Sequence, residues 1–221
     1  GTLVVAERQV SGRGRRGRPW HSPKGSGIWM SILLRPQIHP MSASMLTLVA
    51  AMAVYDAISS RVEGCAIKWP NDIVIDGRKV CGILTEMSSE LDNIHYVVIG
   101  IGINVNTDDF PEDIASVAAS MHVITGAYYK RAEIIADTWK AFEKYYDLFV
   151  QTENLALMVD AYNQRLVNMD RRVMIEERGH RYEGTARGID AEGALLVERD
   201  DGTTTSVISG EVSVRGVLGY V

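Results

Sequence analysis

Short apolar runs rich in β-branched residues alternate with glycine-rich or polar segments along the first hundred residues. Apolar runs of about four to eight residues bounded by turn residues predict β-strands. The glycines and prolines of residues 11–27 predict a long loop between the first two of these runs. Strands are therefore predicted at residues 2–6, 28–34, 66–69, 73–75, 80–87 and 96–106.

Two longer segments change to a helical period. In residues 41–61 and 131–150 the apolar side chains recur at three- and four-residue spacing, which predicts helices with one buried face. Residues 153–166 show the same spacing and predict a further helix. The many alanines of the first helix predict that it packs closely on a sheet.

Beyond Asp170 the pattern returns to short strands. We place a domain boundary near Asn168, which gives a larger domain of residues 1–167 and a smaller one of residues 168–221. The predicted fold class is α+β, a mixed β-sheet with packed helices plus a small β-barrel. The five strands of the predicted barrel are residues 173–177, 182–189, 194–199, 203–208 and 212–215.

Charge narrows the classes of function. The 221 residues carry a net charge of −5, which argues against a general nucleic-acid binder because such proteins usually have a basic excess. Residues 8–24 nevertheless hold six basic side chains and no acidic one, which predicts a local anion site. Cys65 and Cys81 lie near no other cysteine or histidine in the sequence, so no zinc site is predicted. We expect a reduced, cytoplasmic protein that has no membrane span.

Residues 12–20 (GRGRRGRPW) are the first candidate for a binding site. Glycine allows close approach of the backbone to a ligand, and arginine supplies planar donors suited to phosphate or carboxylate. Trp20 adds an apolar plate beside the charges. The segment is not a Walker-type phosphate loop, because it lacks the GxxxxGK[ST] pattern. A solvated basic loop that touches RNA is the alternative.

Two further segments are candidates for a binding site, one because of its polar side chains and the other because of the glycines inside its strands. KWPND at residues 68–72 joins two apolar strands and offers an amide and a carboxylate, although a tight turn would have the same residues. Lys79 begins a strand that contains Gly82, and Gly100 and Gly102 lie on one side of the next strand. Glycine inside a strand often marks a ligand against the backbone, but a bulge or close packing is equally compatible. Together these features suit a flat organic ligand that bears an anion.

These motifs resemble those of the biotin–protein ligase family. GRGRRGRPW, KWPND, KVCGILTE (79–86) and VVIGIGINVN (97–106) occur in the family's order. GTARGIDAEGALLV (184–197) and GEVSVRG (210–216) are similar to its small SH3-like C-terminal domain. The resemblance implies that a biotin carboxylate attacks the α-phosphate of Mg-ATP, giving biotinyl-5′-AMP. A lysine of a biotin carboxyl carrier protein then takes the biotinyl group.

The resemblance also assigns roles to residues. It implies catalytic roles for Lys79, Arg15 and Asp72. It implies ATP and Mg²⁺ as co-substrate and metal, with the metal held through the ATP phosphates and no assigned protein ligand. The implied biotin-binding residues are Gln9, Gly12, Arg13, Trp20, Lys79, Gly82, Gly100 and Gly102. The implied adenylate-binding residues are Arg15, Arg16, Arg18, Lys68, Asn71, Asp72 and Asn104.

The resemblance also bears on segments outside these motifs and on possible partners. A Ser/Thr-Thr-Asn segment that helps to bind biotin is expected upstream of Gly1, and the arginine loop is expected to become ordered when ligand binds. Some relatives carry an N-terminal DNA-binding domain, but these residues predict no nucleic-acid contact. A homodimer is left open. The alternatives are a lipoyl or octanoyl transferase, a non-enzymatic module that is either a biotin-responsive repressor or a truncated binding protein, and an RNA-binding protein.

Overall fold

The computed structural model describes residues 1–177, 180–208, 212–217 and 219–221, and its strands form two sheets. The first sheet has six strands in the order β1-β2-β6-β5-β4-β3. Each strand predicted in the first half of the chain is confirmed, with ends shifted by a few residues. The strands are Thr2–Ala6 (β1), Ile28–Leu34 (β2), Cys65–Lys68 (β3), Asp72–Ile75 (β4), Arg78–Glu90 (β5) and Asn93–Ile103 (β6).

All five strand pairs of this sheet are antiparallel, so the prediction of a mixed sheet is wrong. Short connections explain the difference, because antiparallel neighbours can be joined by a two-residue turn whereas parallel ones need a crossover. Asp76 (φ 49°) and Gly77 (φ 76°) join β4 to β5 in the left-handed conformation that favours Asp-Gly in such a turn. Leu91 and Asp92 likewise connect β5 to β6.

The apolar segment predicted as one helix is a 3-10 helix, Pro40–Met45, followed by helix α1, Leu46–Ser59. Proline suits the first turn because its missing N–H has no helical partner there. His39 caps the segment by accepting a hydrogen bond from the Met41 backbone N–H. Residues 40–59 are long and apolar enough to cross a membrane, but 72% of this stretch is buried inside the fold. It packs between the sheet and the second long helix, Arg131–Thr152 (α4), as the core helix of a globular fold does.

The second predicted helix is confirmed as α4, Arg131–Thr152, but the prediction for residues 153–166 is largely wrong. Glu153 (φ 53°) ends α4, and the only α-helix in that range is α5, Val159–Asn163. The Leu155 N–H donates to the Ala191 carbonyl at 2.7 Å instead of to a helical partner. A tertiary contact therefore overrides the helical spacing. Two short helices were not predicted, α2 at Glu112–Ala115 and α3 at Met121–Thr125.

The second sheet pairs five antiparallel strands in the order β10-β9-β8-β7-β11. The five predicted strands are confirmed in the described residues, whereas Gly210 and Glu211 of the GEVSVRG motif lie outside them. The boundary near Asn168 and the SH3-like barrel stay predictions. The strands are Arg172–Glu177 (β7), His180–Ile189 (β8), Leu195–Glu198 (β9), Thr204–Val207 (β10) and Val212–Gly216 (β11).

The turn between β8 and β9 docks the second sheet onto the first. The Trp69 indole N–H donates to the Gly193 carbonyl at 3.0 Å, and Trp69 is fully buried. Gly193 has a φ of +78°, and a Cβ there would lie 3.1 Å from Leu155 and 3.2 Å from Leu48. Glycine therefore permits both the turn and the close approach. This contact brings β11 and the residues after it beside the KWPND segment.

Candidate active site

Residues 12–20 fold back on themselves as a small hairpin. The Trp20 N–H donates to the Gly12 carbonyl at 2.9 Å, and the Gly14 N–H donates to the Arg18 carbonyl at 2.7 Å. Arg16 (φ 59°) and Gly17 (φ 72°) turn the chain at the tip. The four arginines of the hairpin and Trp20 line a cavity beside the sheet. Whether ligand orders this loop stays a prediction.

The indole of Trp20 lies over two glycines that face each other across the sheet. Gly82 of β5 is paired with Gly102 of β6. A Cβ on Gly102 would lie 2.5 Å from Trp20 Nε1, and a Cβ on Gly82 would lie 2.8 Å from Trp20 Cζ3. A Cβ on Gly100 would come no closer than 3.6 Å to its nearest neighbour, the Leu84 carbonyl oxygen. Gly82 and Gly102 therefore leave room for the indole, and Gly100 does not share that role.

KWPND places charged groups at the joined ends of β3 and β4. Lys68 and Asp72 are register partners, and Asp72 is also paired with Gly82 of β5. The Lys79 ammonium makes a 2.6 Å ion pair with Asp72 Oδ1. The Asn71 amide donates to Asp72 Oδ1 and to the Ile83 carbonyl, both at 3.1 Å. Lys79 and Asp72 thus meet beside Gly82 and Gly102, the two glycines that form a floor under Trp20 and are called the glycine floor.

One hydrogen bond links the arginine hairpin to KWPND. Arg15 Nη1 donates to Asn71 Oδ1 at 2.8 Å. Because Asn71 also donates to the carboxylate of Asp72, the hairpin, the amide and the carboxylate form a continuous polar chain. Arg15 is in this way held at the Asp72 side of the site, while Trp20 covers the other side.

Burial and neighbouring charges shift the pKa values of this cluster in opposite directions. Burial alone would raise the pKa of Asp72, but the charges of Lys79 and Lys68 and hydrogen bonds from Lys79 and Tyr220 bring it below its ordinary value. Burial lowers the pKa of Lys68 from 10.5 to about 8, opposed by the charge of Asp72. Lys68 is only 5% exposed, and its ammonium donates to the Val214 carbonyl at 3.0 Å. At neutral pH the cluster therefore holds an ionised carboxylate among buried cations.

The sequence prediction missed the contribution of the C-terminal residues. The Tyr220 hydroxyl donates to Asp72 Oδ2, and its ring lies 4.2 Å from the Lys68 ammonium. Val214, Arg215 and Tyr220 line the same cavity as the motif residues. No local pattern marks Tyr220, because its partner Asp72 is 148 positions earlier in the chain. The docking turn at Gly193 is what brings this segment to the site.

These groups surround one cavity of about 440 Å³. Gly12 is the exception among the predicted site residues, because it lies behind the Trp20 carbonyl rather than on the wall. The ligand roles given to these residues stay predictions. Apolar residues Phe110, Ile114, Val117 and Ala118 close another part of the wall. The predicted residues on the wall are Gln9, Arg13, Arg15, Arg16, Arg18, Trp20, Lys68, Asn71, Asp72, Lys79, Gly82, Gly100, Gly102 and Asn104.

The side chains that line the cavity fit a metal ion that is bound mainly through the phosphates of a substrate. Within the described ranges, no group of three or more histidine, cysteine, aspartate or glutamate side chains could hold an ion. Asp72 is the buried carboxylate of the cavity, and Lys79 and Tyr220 already contact its two oxygens. Mg²⁺ commonly binds through substrate phosphates and one or two carboxylates. The residues present therefore fit Mg²⁺ bound through substrate phosphates, with no assigned protein ligand.

Comparison with known proteins decides the family. A model of the biotin/lipoate A/B protein ligase family matches residues 1–104, and one of the biotin protein ligase C-terminal domain matches residues 169–215. The biotin–[acetyl-CoA-carboxylase] ligase of Paracoccus denitrificans is 33% identical over 200 residues, which cover 88% of this chain and 82% of that protein. The chain belongs to the biotin–protein ligase family.

Other members of the biotin–protein ligase family agree with this assignment. The bifunctional ligase/repressor BirA of Bacillus spizizenii is 44% identical over 208 residues, 91% of this chain. The chain spans only 63% of the length of that relative. A structure of biotin protein ligase from Aquifex aeolicus in complex with biotin and ATP superposes with a TM-score of 0.86 at 30% identity. That match covers 98% of this chain and 89% of the other.

Proposed function

We propose that this chain is a biotin–protein ligase, which activates biotin with ATP and transfers it to a lysine of a biotin carboxyl carrier protein. The observation that carries the proposal is the ion pair of Lys79 with Asp72, set between the arginine hairpin and the glycine floor in one cavity. The family membership of the chain and the relative bound to biotin and ATP give further support.

The first step of this reaction brings two anions together. A biotin carboxylate oxygen attacks the α-phosphorus, and the bond from that phosphorus to the bridging oxygen breaks as pyrophosphate leaves. Two like charges about 4 Å apart cost roughly 4 kcal/mol at an effective dielectric constant near 20. Fixed cations aimed at the developing charge offset this cost. Lys79, Arg15 and Lys68 line the cavity and can supply them, and Mg²⁺ on the phosphates would stabilise the leaving pyrophosphate.

The remaining groups bind and orient the two substrates. Trp20 offers a flat apolar face for the fused rings of biotin, and Gln9 and Arg13, which flank Gly12 in the chain and line the cavity, would bind the polar ureido edge. Arg16, Arg18 and Asn71 line the nucleotide side in this arrangement. We place the carboxylate of biotin toward Lys79, because that ammonium stands between the glycine floor and Asp72.

In the second step the amine of the carrier lysine attacks the carbonyl carbon of the adenylate, and AMP leaves. The amine must lose a proton, since its ordinary pKa is near 10.4. Asp72 is a weak base for this task, because neighbouring cations lower its pKa. We therefore propose that Asp72 holds Lys79 in position rather than accepting the proton.

We propose three finer features on the same basis. The five strands of the second sheet form the SH3-like barrel of the family, consistent with the family model that matches residues 169–215. The chain acts in the cytoplasm, where ATP and carrier proteins are available. The domain boundary lies near Asn168, which precedes the first strand of the second sheet.

Mass spectrometry of a carrier domain tests the proposed function. The full chain is incubated with biotin, Mg-ATP and a biotin carboxyl carrier domain, and a carrier whose target lysine is replaced by arginine is the control. We expect one added biotin on the wild-type carrier and none on the control. A parallel incubation with lipoate separates the lipoyl transferase alternative. Addition of lipoate instead of biotin, or release of no pyrophosphate with either acid, would contradict the proposal.

Lys68 gives the proposed nucleotide site a pH dependence. Because its pKa is about 8, Lys68 is mostly charged near pH 7 and mostly neutral at about pH 9.5. We expect affinity for a non-hydrolysable ATP analogue to fall about tenfold over this range, as a charge-assisted contact is lost. Calorimetric titration at several pH values measures it.

The neutral variant Lys68→Met is the control for this titration. It should bind the analogue weakly at every pH, so an unchanged pH dependence in the variant would assign the effect to another group.

The stability of the wild-type fold should rise with pH over the range in which the affinity for the analogue falls. The unfolded chain binds more protons than the folded chain between about pH 8 and pH 10.5, so the free energy of unfolding rises with pH there.

A further inference from the structure

The last described residues of the chain are fixed between the two sheets. Gly219 forms an antiparallel bridge with Gly216 at the end of β11. A Cβ on Gly216 would lie 2.1 Å from the Val221 carbonyl oxygen, and a Cβ on Gly77 would lie 3.1 Å from Val221 Cγ2. Val221 is thus packed between β11 and the turn that joins β4 to β5. This packing sets Tyr220 at the Asp72 end of the cavity.

Tyr220 makes two contacts there through different parts of its side chain. Its hydroxyl donates to Asp72 Oδ2, while Lys79 and Asn71 contact Oδ1 of the same carboxylate. A donor on each oxygen fixes the rotation of the carboxylate. The ring lies 4.2 Å from the Lys68 ammonium, where the face of an aromatic ring attracts a cation and excludes water.

Tyr220 can act only as a neutral donor. Burial and the nearby charge of Asp72 raise the pKa of its phenol far above the ordinary value. The phenol of Tyr220 therefore stays protonated around neutral pH and acts as a hydrogen-bond donor. Its hydroxyl supplies a permanent hydrogen bond to a carboxylate that Lys79 and Lys68 also stabilise as an anion.

We propose that Tyr220 is a positioning residue of the adenylation step, which orients Lys79 through Asp72 and joins the C-terminal sheet to the reacting groups. The inference rests on the proposed function. With the Tyr220 hydroxyl in place, Asp72 turns Oδ1 toward Lys79, which is held at 2.6 Å beside the glycine floor. Without it, the carboxylate can rotate and take the ammonium away from the attacking carboxylate of biotin.

The variant Tyr220→Phe tests this role, because it removes the hydroxyl and keeps the ring over Lys68. In the full chain we expect single-turnover pyrophosphate release to slow by on the order of tenfold, the effect of losing one hydrogen bond to a charged group. The KM for biotin should stay within about twofold. The matched control is Tyr128→Phe, which changes a 72% exposed ring stacked on His122 and should leave the rate unchanged.

A titration that needs no turnover separates positioning from a merely structural role. The carboxyl carbon of Asp72, assigned by comparison with Asp72→Asn, is followed by ¹³C NMR as the pH is changed. Loss of the Tyr220 donor should raise the pKa of Asp72, although Lys79, Lys68 and Arg15 still surround it. The acid limb of the rate profile should move in the same direction.

Each outcome decides between the two proposals. A Tyr220→Phe variant with the wild-type rate, or a slow one in which Asp72 titrates as in the wild type, overturns the role of Tyr220 alone. A wild-type chain that forms no adenylate overturns the proposed function and this inference with it. A slower variant with a raised pKa of Asp72 supports both.

Discussion

Replacing Lys79 with alanine should slow adenylate formation by roughly a hundred- to a thousandfold, the usual effect of losing one fixed group that stabilises charge in a transition state. Lys79 is the cation nearest to Asp72 Oδ1 and stands beside the glycine floor that carries the Trp20 indole, the ring on which biotin is expected to lie. Pyrophosphate release under single-turnover conditions measures the effect. An unchanged rate would remove Lys79 from the mechanism.

The same substitution should also destabilise the fold, because Asp72 stays buried without its ion-pair partner. Breaking a buried ion pair destabilises a fold by about 3–5 kcal/mol. We expect a value near the lower limit here, because the charge of Lys68 still stabilises the carboxylate of Asp72. The double variant Lys79→Ala/Asp72→Asn should recover stability in urea unfolding but not activity. Lys130→Ala is the matched control, since that exposed ammonium pairs only with Glu133 in the described contacts and should change neither measurement.

A valine at Gly102 should weaken biotin binding by about tenfold to a hundredfold. Its side chain would enter the space of the Trp20 indole, and overpacking of this kind costs about 1–3 kcal/mol. The ring must leave the floor or the strands must separate, and both remove the face on which biotin is expected to lie. Calorimetric titration with biotin alone measures the loss. Wild-type affinity would restrict Gly102 to a role in packing.

Two further variants identify the cause of that loss. If valine acts by displacing Trp20, the double variant Trp20→Ala/Gly102→Val should bind biotin no more weakly than Trp20→Ala does. Gly100→Ala gives the graded comparison on the same strand, because its Cβ meets nothing closer than 3.6 Å. A loss of affinity in Gly100→Ala would therefore report direct contact of biotin with Gly100.

The strands of both sheets could be predicted because short apolar runs rich in β-branched residues form them and turn residues end them. Their direction could not be predicted, since a short apolar run occurs in parallel and antiparallel strands alike. The helix expected at residues 153–166 failed for a related reason. Its spacing is helical, but Leu155 bonds to Ala191 of the distant second sheet, and no local pattern contains that partner.

The site could be predicted as far as its motifs extend. The arginine hairpin, KWPND and Lys79 meet at one cavity because β4 and β5 are joined by a tight turn and β6 lies beside them. The sequence could not show that Trp20, rather than a ligand alone, fills the space above Gly82 and Gly102. It also gave no sign of Tyr220, whose place depends on how the second sheet docks at Gly193.

The place of Trp20 gives the protein an optical signal of its own. Trp29 and Trp69 are buried at 2% and 1% exposure, and Trp139 lies on helix α4 away from the cavity wall, so ligands should change the emission of these three less than that of Trp20. Trp20 is half-buried on the cavity wall, edge-to-face with Trp29 at 6.5 Å and 5.4 Å from the Lys79 ammonium. A molecule that displaces water from this indole, or moves the lysine, changes the surroundings of the excited ring. Occupancy of the cavity can thus be followed by fluorescence in the unlabelled protein.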